Sequence, residues 1–129
     1  MSTKVKSNEK LTVVFGASPN PARYAYMATE RLHNQNFPFK LVSVKSGELF
    51  GETFLNLNEK PKIEEVDTIT LYIGADRLAE WQPYILSLAP KRIIFNPGTE
   101  NMELAKAAQD LGIDTVFGCT LVMLGTGQY

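Results

Sequence analysis

Five short apolar runs, separated by segments with helical spacing, constrain the fold of this chain more than any other feature. The runs are Leu11–Phe15, Phe39–Val44, Thr68–Ile73, Arg92–Phe95 and Asp114–Phe117. Each is rich in β-branched or aromatic residues and too short for a helix, so each predicts a strand. Strands of this kind that alternate with helices pair in parallel, because helices cover both faces of the sheet. The sequence therefore predicts an α/β fold, a Rossmann-like three-layer sandwich with a five-stranded parallel sheet.

Three segments between these runs have the three- and four-residue apolar spacing of amphipathic helices. The first is expected over Pro21–Gln35, with Asn20 as its N-cap. The second follows Asp76, another expected N-cap, and contains Pro83, which predicts either a kink or a fresh helix start. The third covers residues 101–111. These helices supply the long crossovers that parallel strands require.

Length and charge limit the classes of protein to which this chain can belong. A chain of 129 residues fits one domain, expected over residues 11–129 after a flexible polar segment over residues 1–10. The balance of 13 Lys and Arg against 14 Asp and Glu leaves no positive field to hold nucleic acid. No apolar run approaches the roughly 18 residues that span a bilayer. These features predict a cytoplasmic protein that binds neither nucleic acid nor a membrane.

The loops after the strands predict one ligand crevice, because the carboxyl ends of parallel strands share one edge of the sheet. Five loops reach this edge: residues 16–23, 44–47, 74–76, 96–101 and 118–124. The first has the sequence GASPNPAR, in which glycine allows close backbone approach and serine adds a hydroxyl at the positive end of a helix. This loop suits a phosphate. The long segment between Lys45 and Asp67 is expected to hold a short helical turn and to flank the crevice.

The first loop differs from the dinucleotide fingerprint GxGxxG, because Ser18 and Pro21 stand where its second and third glycines would be. A pyrophosphate in the usual NAD pose is therefore not expected. Lys45 follows the second strand, where an NAD enzyme offers an acidic residue to the ribose, and a lysine there favours a phosphate on the ribose. An NADP-dependent reductase, with Lys45 and Arg23 on the 2′-phosphate, is thus one alternative function.

Several motifs along the chain occur together in one known family. They are VFGAS at 14–18 followed by Arg23 and Tyr24, VSVK ending in Lys45, Gly51, NPGT at 96–99 and GCTLVML at 118–124. On these motifs the chain, from about Leu11 onward, resembles the small stand-alone CoA-binding family, whose domain is similar to the CoA-binding domain of succinyl-CoA synthetase alpha subunits. The resemblance implies a Rossmann-like fold with the nucleotide at the first loop and a lysine after the second strand near its phosphates.

The crevice and the resemblance together give a predicted binding set for CoA or acyl-CoA. It comprises Gly16, Ala17, Ser18, Arg23, Tyr24, Lys45, Gly74, Asn96, Pro97, Gly98 and Cys119. The thiol of Cys119 is expected near the pantetheine arm, where it could form a mixed disulfide with CoA. No catalytic residue is predicted, because no histidine is expected near the nucleophile candidates Ser18, Thr120 and Cys119. The single cysteine leaves no CxxC pair, and no metal ligands are predicted.

The leading hypothesis is a non-catalytic or regulatory CoA-binding protein. Succinyl-CoA synthetase needs a phosphorylatable histidine in a second domain, whereas the one histidine here, His33, falls near the end of the first helix. Ligase activity is therefore not expected. A further alternative is a protein-interaction adaptor with an empty crevice. The segment Leu121–Leu124 either closes the core or forms a homodimer contact.

Overall fold

The computed structural model describes residues 10–129, so nearly all of the segment expected to be flexible, residues 1–10, lies outside the described residues. The strands are β1 Leu11–Phe15, β2 Phe39–Ser43, β3 Glu48–Leu49, β4 Glu52–Thr53, β5 Leu55–Asn56, β6 Val66–Leu71, β7 Arg92–Phe95 and β8 Asp114–Phe117. The helices are α1 Tyr24–Asn34, α2 Leu78–Ser87, α3 Met102–Asp110 and α4 Thr120–Thr126.

Six parallel strands form one sheet in the order β5-β2-β1-β6-β7-β8. The Rossmann-like α/β fold is confirmed, with one strand more than predicted. The additional strand, β5, has two residues and lies in the segment between Lys45 and Asp67. No strand was predicted there, because so short a run shows no apolar periodicity. That segment also contains the expected helical turn, at Leu57–Glu59, and an antiparallel hairpin of β3 and β4.

Both faces of the sheet are covered, which accounts for the continuous apolar character of the strands. On one face, Val13 and Phe15 of β1 pack in a core with residues of α2 and α3. On the other face, Val14 packs in a core with residues of α1 and with Leu124 of α4. Leu124 is 3% exposed, so the segment Leu121–Leu124 closes this core through its last residue.

The first helix begins three residues later than predicted. The side-chain oxygen of Asn20 accepts the N–H of Ala22 at 2.9 Å, and the N–H of Arg23 donates to the carbonyl of Asn20 at 3.0 Å. These bonds close a turn over residues 20–23, so Asn20 is not the N-cap. Arg23 takes that position with an extended backbone and no side-chain capping bond. The turn therefore leaves the first N–H groups of α1 without a side-chain partner.

The start of the second helix also differs from the prediction. Asp76 lies inside a 3₁₀ turn at Ala75–Arg77 and does not cap α2; Arg77 is its N-cap. Pro83 lies inside α2, so the alternative of a fresh helix start at this proline is wrong. The third helix is capped as its sequence suggests, since Asn101 accepts the N–H of Leu104 at 2.9 Å.

A buried polar network fastens the start of α4 to the middle of the sheet. Asn96, which follows β7, is 2% exposed, and its amide nitrogen donates to the hydroxyl of Thr70 at 2.7 Å and the carbonyl of Leu71 at 2.8 Å. Its amide oxygen accepts the N–H of Thr120 at 2.9 Å. The hydroxyls of Thr70 and Thr120 lie 2.7 Å apart. Both polar atoms of the Asn96 side chain are thus engaged inside the protein.

The turn after β1 brings the backbone of Gly16 against the end of β6. Gly16 has φ +103°, a conformation that favours glycine, and its N–H donates to the carbonyl of Val42 at 2.8 Å. A Cβ at this position would lie 3.0 Å from the side chain of Ile73 and 3.1 Å from the carbonyl of Tyr72. Both the conformation and the close approach therefore require glycine.

We predict that Asn96→Ala lowers the free energy of unfolding by about 2–4 kcal/mol, because it leaves buried donors and acceptors without partners. Asn34→Ala, on an exposed position of α1, is the matched control and should change the free energy of unfolding little. Urea denaturation of both variants tests this. Equal stabilities for the two would contradict the structural role of the network.

We predict that Gly16→Ala destabilises more than Gly112→Ala. Gly112 has φ +82° but nothing within 4 Å of an added Cβ, so its substitution costs only the backbone conformation, roughly 1–2 kcal/mol. Gly16→Ala adds the contact with Tyr72 and Ile73, for about 1 kcal/mol or more beyond that. The difference between the denaturation midpoints of the two variants measures the cost of the close approach at Gly16. Equal losses of stability in the two variants would contradict this prediction.

Candidate functional site

A cavity of about 540 Å³ opens at the carboxyl ends of β1, β2 and β6. It lies where the predicted crevice was expected, because the loops after these three neighbouring strands converge there. The cavity is lined by part of the predicted binding set: Gly16, Ala17, Ser18, Arg23, Tyr24, Lys45 and Gly74. The structure therefore brings together the predicted residues from the first three loops.

The predicted residues after β7 and β8 do not line this cavity. Asn96 is buried in the polar network, and Pro97 and Gly98 form an exposed turn. The carbonyl of Gly98 accepts the N–H of Ala75 at 3.2 Å, so this turn supports the loop after β6 from behind. Cys119 is half-buried at the N-cap of α4. The strands that precede these loops, β7 and β8, lie on the far side of β6 from β1.

The cavity also contains residues that the sequence analysis did not place in the binding set. They are Ala22, Ala25, Ser43, Val44, Tyr72, Ile73 and Arg77. Arg77 stands three residues after Gly74, so extending the third loop to the start of α2 could have identified it. Tyr72 shares a sheet face with Thr68 and Thr70, and this two-residue alternation was the available signal.

Three cations line the cavity: Arg23, Lys45 and Arg77. None of the described lining residues is a carboxylate. All three side chains are exposed. Within residues 10–129, the ion pairs are Lys40–Glu52 and Lys106–Asp110, so none of the three cations is paired. Unpaired cations from three different loops produce a positive potential at this edge of the sheet, which attracts anionic ligands.

The first turn of α1 adds to this positive potential. The helix has no side-chain cap and no acidic residue in its first turn, and Tyr24 and Ala25 of that turn line the cavity. Its free N–H groups and partial positive charge are therefore open to an anion. The Ser18 oxygen accepts the N–H of Asn20 at 3.1 Å, so this serine shapes the loop as well as facing the cavity.

Tyr72 forms a polar part of the cavity wall. Burial raises the pKa of its hydroxyl to about 12, and the nearby hydroxyls of Thr70 and Thr120 offset part of that increase. At neutral pH the group is therefore protonated and can donate a hydrogen bond. The Cys119 and Tyr129 side chains also raise this pKa electrostatically.

Other chemistry-bearing groups lie away from the cavity. His33 is exposed on α1 and stacks on Phe50, with ring centroids 4.9 Å apart. In the part of the chain that the structure describes, no group of three or more His, Cys, Asp or Glu side chains could hold a metal ion. Over the same residues, no helix has the length and apolar character to cross a membrane.

A larger hollow of about 1150 Å³ lies at the opposite, amino-terminal edge of the sheet. Its lining mixes four lysines with three carboxylates: Lys10, Lys60, Lys62, Lys91, Glu64, Glu65 and Asp67. Neither the strand-end loops nor a helix N-terminus contributes to it. Because ligands of open parallel sheets bind at the carboxyl ends of the strands, the smaller cavity is the candidate site.

Solved structures share this fold over most of the chain. The crystal structure of an uncharacterized protein is 51% identical, with a TM-score of 0.89, and the match covers 93% of this chain and 98% of that one. A Thermus thermophilus protein is 25% identical, with a TM-score of 0.80 and full coverage of both chains. An acetyl-coenzyme A synthetase from Ca. Korarchaeum cryptofilum is 17% identical, with a TM-score of 0.69, over 91% of this chain and 27% of that one.

None of the curated proteins matches the sequence significantly. The family model described as a CoA binding domain, however, matches residues 10–125. This match includes every strand of the sheet and every loop that lines the cavity. The resemblance to CoA-binding proteins seen in the sequence motifs is thereby confirmed, and the chain belongs to the CoA-binding domain family.

Proposed function

We propose that this protein binds CoA or an acyl-CoA in the cavity at the ends of β1, β2 and β6, in a non-catalytic or regulatory role. The observation that carries the proposal is a cavity with no carboxylate among its described lining residues and with three cations, Arg23, Lys45 and Arg77, that form no ion pair within residues 10–129. Membership of the CoA-binding domain family supports CoA as the source of the negative charge.

The first loop and α1 fit the phosphates of such a ligand. Gly16 keeps a side chain out of the turn, and the uncapped first turn of α1 offers N–H groups beside it. Lys45 is held at the mouth of the cavity because its own N–H donates to the Ser43 hydroxyl oxygen at 3.0 Å. These groups form the phosphate-binding part of the proposed site.

Binding without catalysis is supported by the lining of the cavity. Among the described residues that line it there is no histidine, aspartate or glutamate to serve as a general base. Ser18 and Tyr72 are hydrogen-bonding groups without an adjacent activating partner of that kind. The likeness to the acetyl-coenzyme A synthetase concerns the fold alone, and the chain spans about a quarter of that protein.

NADP is the competing small-molecule ligand, because Lys45 and Arg23 would also suit a 2′-phosphate. The family match favours CoA, and the first loop lacks the glycines with which a dinucleotide pyrophosphate is usually approached. An adaptor function with an empty cavity leaves the three unpaired cations without a role. We therefore treat both as outcomes of the binding experiment.

Thermal unfolding with equal concentrations of CoA, acetyl-CoA, NADP, NAD and ATP tests the proposal. A ligand at 100 times its Kd adds about 2.7 kcal/mol to the free energy of unfolding, which raises Tm by several degrees for a domain of this size. We expect CoA or acetyl-CoA to give the largest shift. Lys45→Gln should reduce it, because a charge-assisted bond to phosphate is lost.

Lys106→Gln is the matched control, since this lysine lies on α3 outside the cavity and its removal changes the net charge by the same amount. It should leave the shift unchanged. A larger shift with NADP than with CoA would replace the proposed ligand. If none of the five nucleotides raises Tm, the adaptor function would be the better explanation of the structure.

The mixed disulfide at Cys119 stays a prediction. The half-buried thiolate would attack oxidised CoA, forming one protein–CoA disulfide and releasing one reduced CoA. Intact-mass measurement after incubation with oxidised CoA should show one adduct that reductant removes and that Cys119→Ser lacks. An unchanged mass would place the pantetheine arm elsewhere, in keeping with the position of Cys119 outside the cavity lining.

A further inference from the structure

A short hairpin follows the loop that carries Lys45. Its strands, β3 and β4, are joined by Phe50 and Gly51, which have φ +53° and +87°. Positive φ at both central residues is the geometry of a type I′ turn, whose usual first residue is asparagine, aspartate or glycine. A phenylalanine in this left-handed conformation is strained, because its Cβ crowds the backbone. The turn alone therefore does not explain why an aromatic ring stands here.

The Phe50 ring contacts the first helix. It stacks on the ring of His33, with ring centroids 4.9 Å apart and an interplanar angle of 15°. Its centroid also lies 5.8 Å from that of the Tyr26 ring. Tyr26 stands two residues after Tyr24, which lines the cavity. The ring thus fastens the tip of the hairpin to the same helix whose first turn forms part of the cavity.

The loop that carries Lys45 is bonded to the base of this hairpin. The carbonyl of Gly47 accepts the N–H of Phe54 at 2.8 Å, and a Cβ on Gly47 would lie 3.3 Å from the Phe54 ring. Phe54 is buried in the core that also contains residues of α1. On its other side, the Lys45 N–H donates to the Ser43 hydroxyl oxygen at 3.0 Å. Lys45 therefore lies between two anchored points, the end of β2 and the base of the hairpin.

The side chain of Lys45 has no ionic contact that would fix its position. It is exposed, and within residues 10–129 it forms no ion pair. The position of its charge at the cavity is therefore set by the backbone of its loop. Because that loop is bonded to the hairpin, a shift of the hairpin on α1 would move Lys45 relative to Arg23 and the first turn of α1.

Resting on the proposed function, we propose that Phe50 is a positioning residue for ligand binding: its ring fastens the hairpin to α1 and thereby sets the position of Lys45 at the cavity. This role explains the strained conformation, because a relaxed turn residue such as asparagine has no ring to contact His33 and Tyr26. Phe50 does not line the cavity, so it acts on the ligand through Lys45 and its loop.

Isothermal titration with CoA tests this role on Phe50→Asn, which suits the turn but removes the ring. We expect it to weaken CoA binding by about three-fold or more, and by no more than Lys45→Gln does, because the interaction it impairs is the charged bond of the lysine to phosphate. Phe50→Tyr keeps the ring and should restore wild-type affinity. Thr53→Asn, at an exposed position of the same hairpin, is the matched control and should bind CoA as the wild type does.

Each substitution is then repeated in the Lys45→Gln background. If Phe50 acts through Lys45, Phe50→Asn should have no further effect there, so the two losses are strongly non-additive. A ring that only supports the fold would lower the affinity by the same factor in both backgrounds. His33→Ala, at an exposed position of α1, removes the stacking partner and is the replacement variant if Phe50→Asn does not fold.

Three results would overturn the inference and leave the proposed function standing. The first is wild-type affinity for CoA in folded Phe50→Asn or, if that variant does not fold, in His33→Ala. The second is an equal loss with and without Lys45, and the third is wild-type affinity in Lys45→Gln. Failure of the wild type to bind CoA at all would refute the proposed function, and this inference with it. Circular dichroism of each variant separates a lost affinity from a lost fold.

Discussion

Burial of β1 on both faces is the constraint from which the rest of the molecule follows. Val13, Val14 and Phe15 are fully buried, on alternate sides of the sheet, so helices must cover both sides. Helical crossovers that cover both sides make the strands parallel, and parallel strands direct all their carboxyl ends to one edge. The cavity, the uncapped first turn of α1 and the three cations all lie at that edge for this reason. The site is a consequence of the layer arrangement rather than of any single motif.

The parts of the fold that depend on long patterns could be predicted from the sequence. The five apolar runs correspond to five of the strands, because burial on both faces requires apolar residues throughout. The start of α1 could not be predicted, because Asn20 is equally suited to capping a helix and to closing a turn. In the structure its side-chain oxygen accepts the N–H of Ala22, which closes the turn. The strand β5 was missed because its two residues pair with β2 only in the folded sheet.

The position of the candidate site could be predicted only as far as one could predict which strands are neighbours in the sheet. The loops after β1, β2 and β6 converge because these strands are adjacent, and the sequence order of the strands made their convergence at one edge foreseeable. The fate of Asn96 was not foreseeable, since a loop asparagine can bind a ligand or complete an internal network. In this structure its side chain makes three bonds to β6 and α4. Arg77 shows the reverse case, a residue outside every motif that the fold carries to the cavity.

The way α4 is attached distinguishes it from the other helices. Only Thr120 and Leu124 of its seven residues are buried, and the first is held by hydroxyl and amide bonds rather than by an apolar stripe. Detachment of this helix would therefore break these hydrogen bonds and uncover the core that Leu124 closes. Such a local opening would increase the heat capacity and be promoted by denaturant, because both effects scale with the surface exposed. The end of the chain is fastened as well, because the Tyr129 ring packs against Phe37 and Arg92, so α4 is tethered at both of its ends.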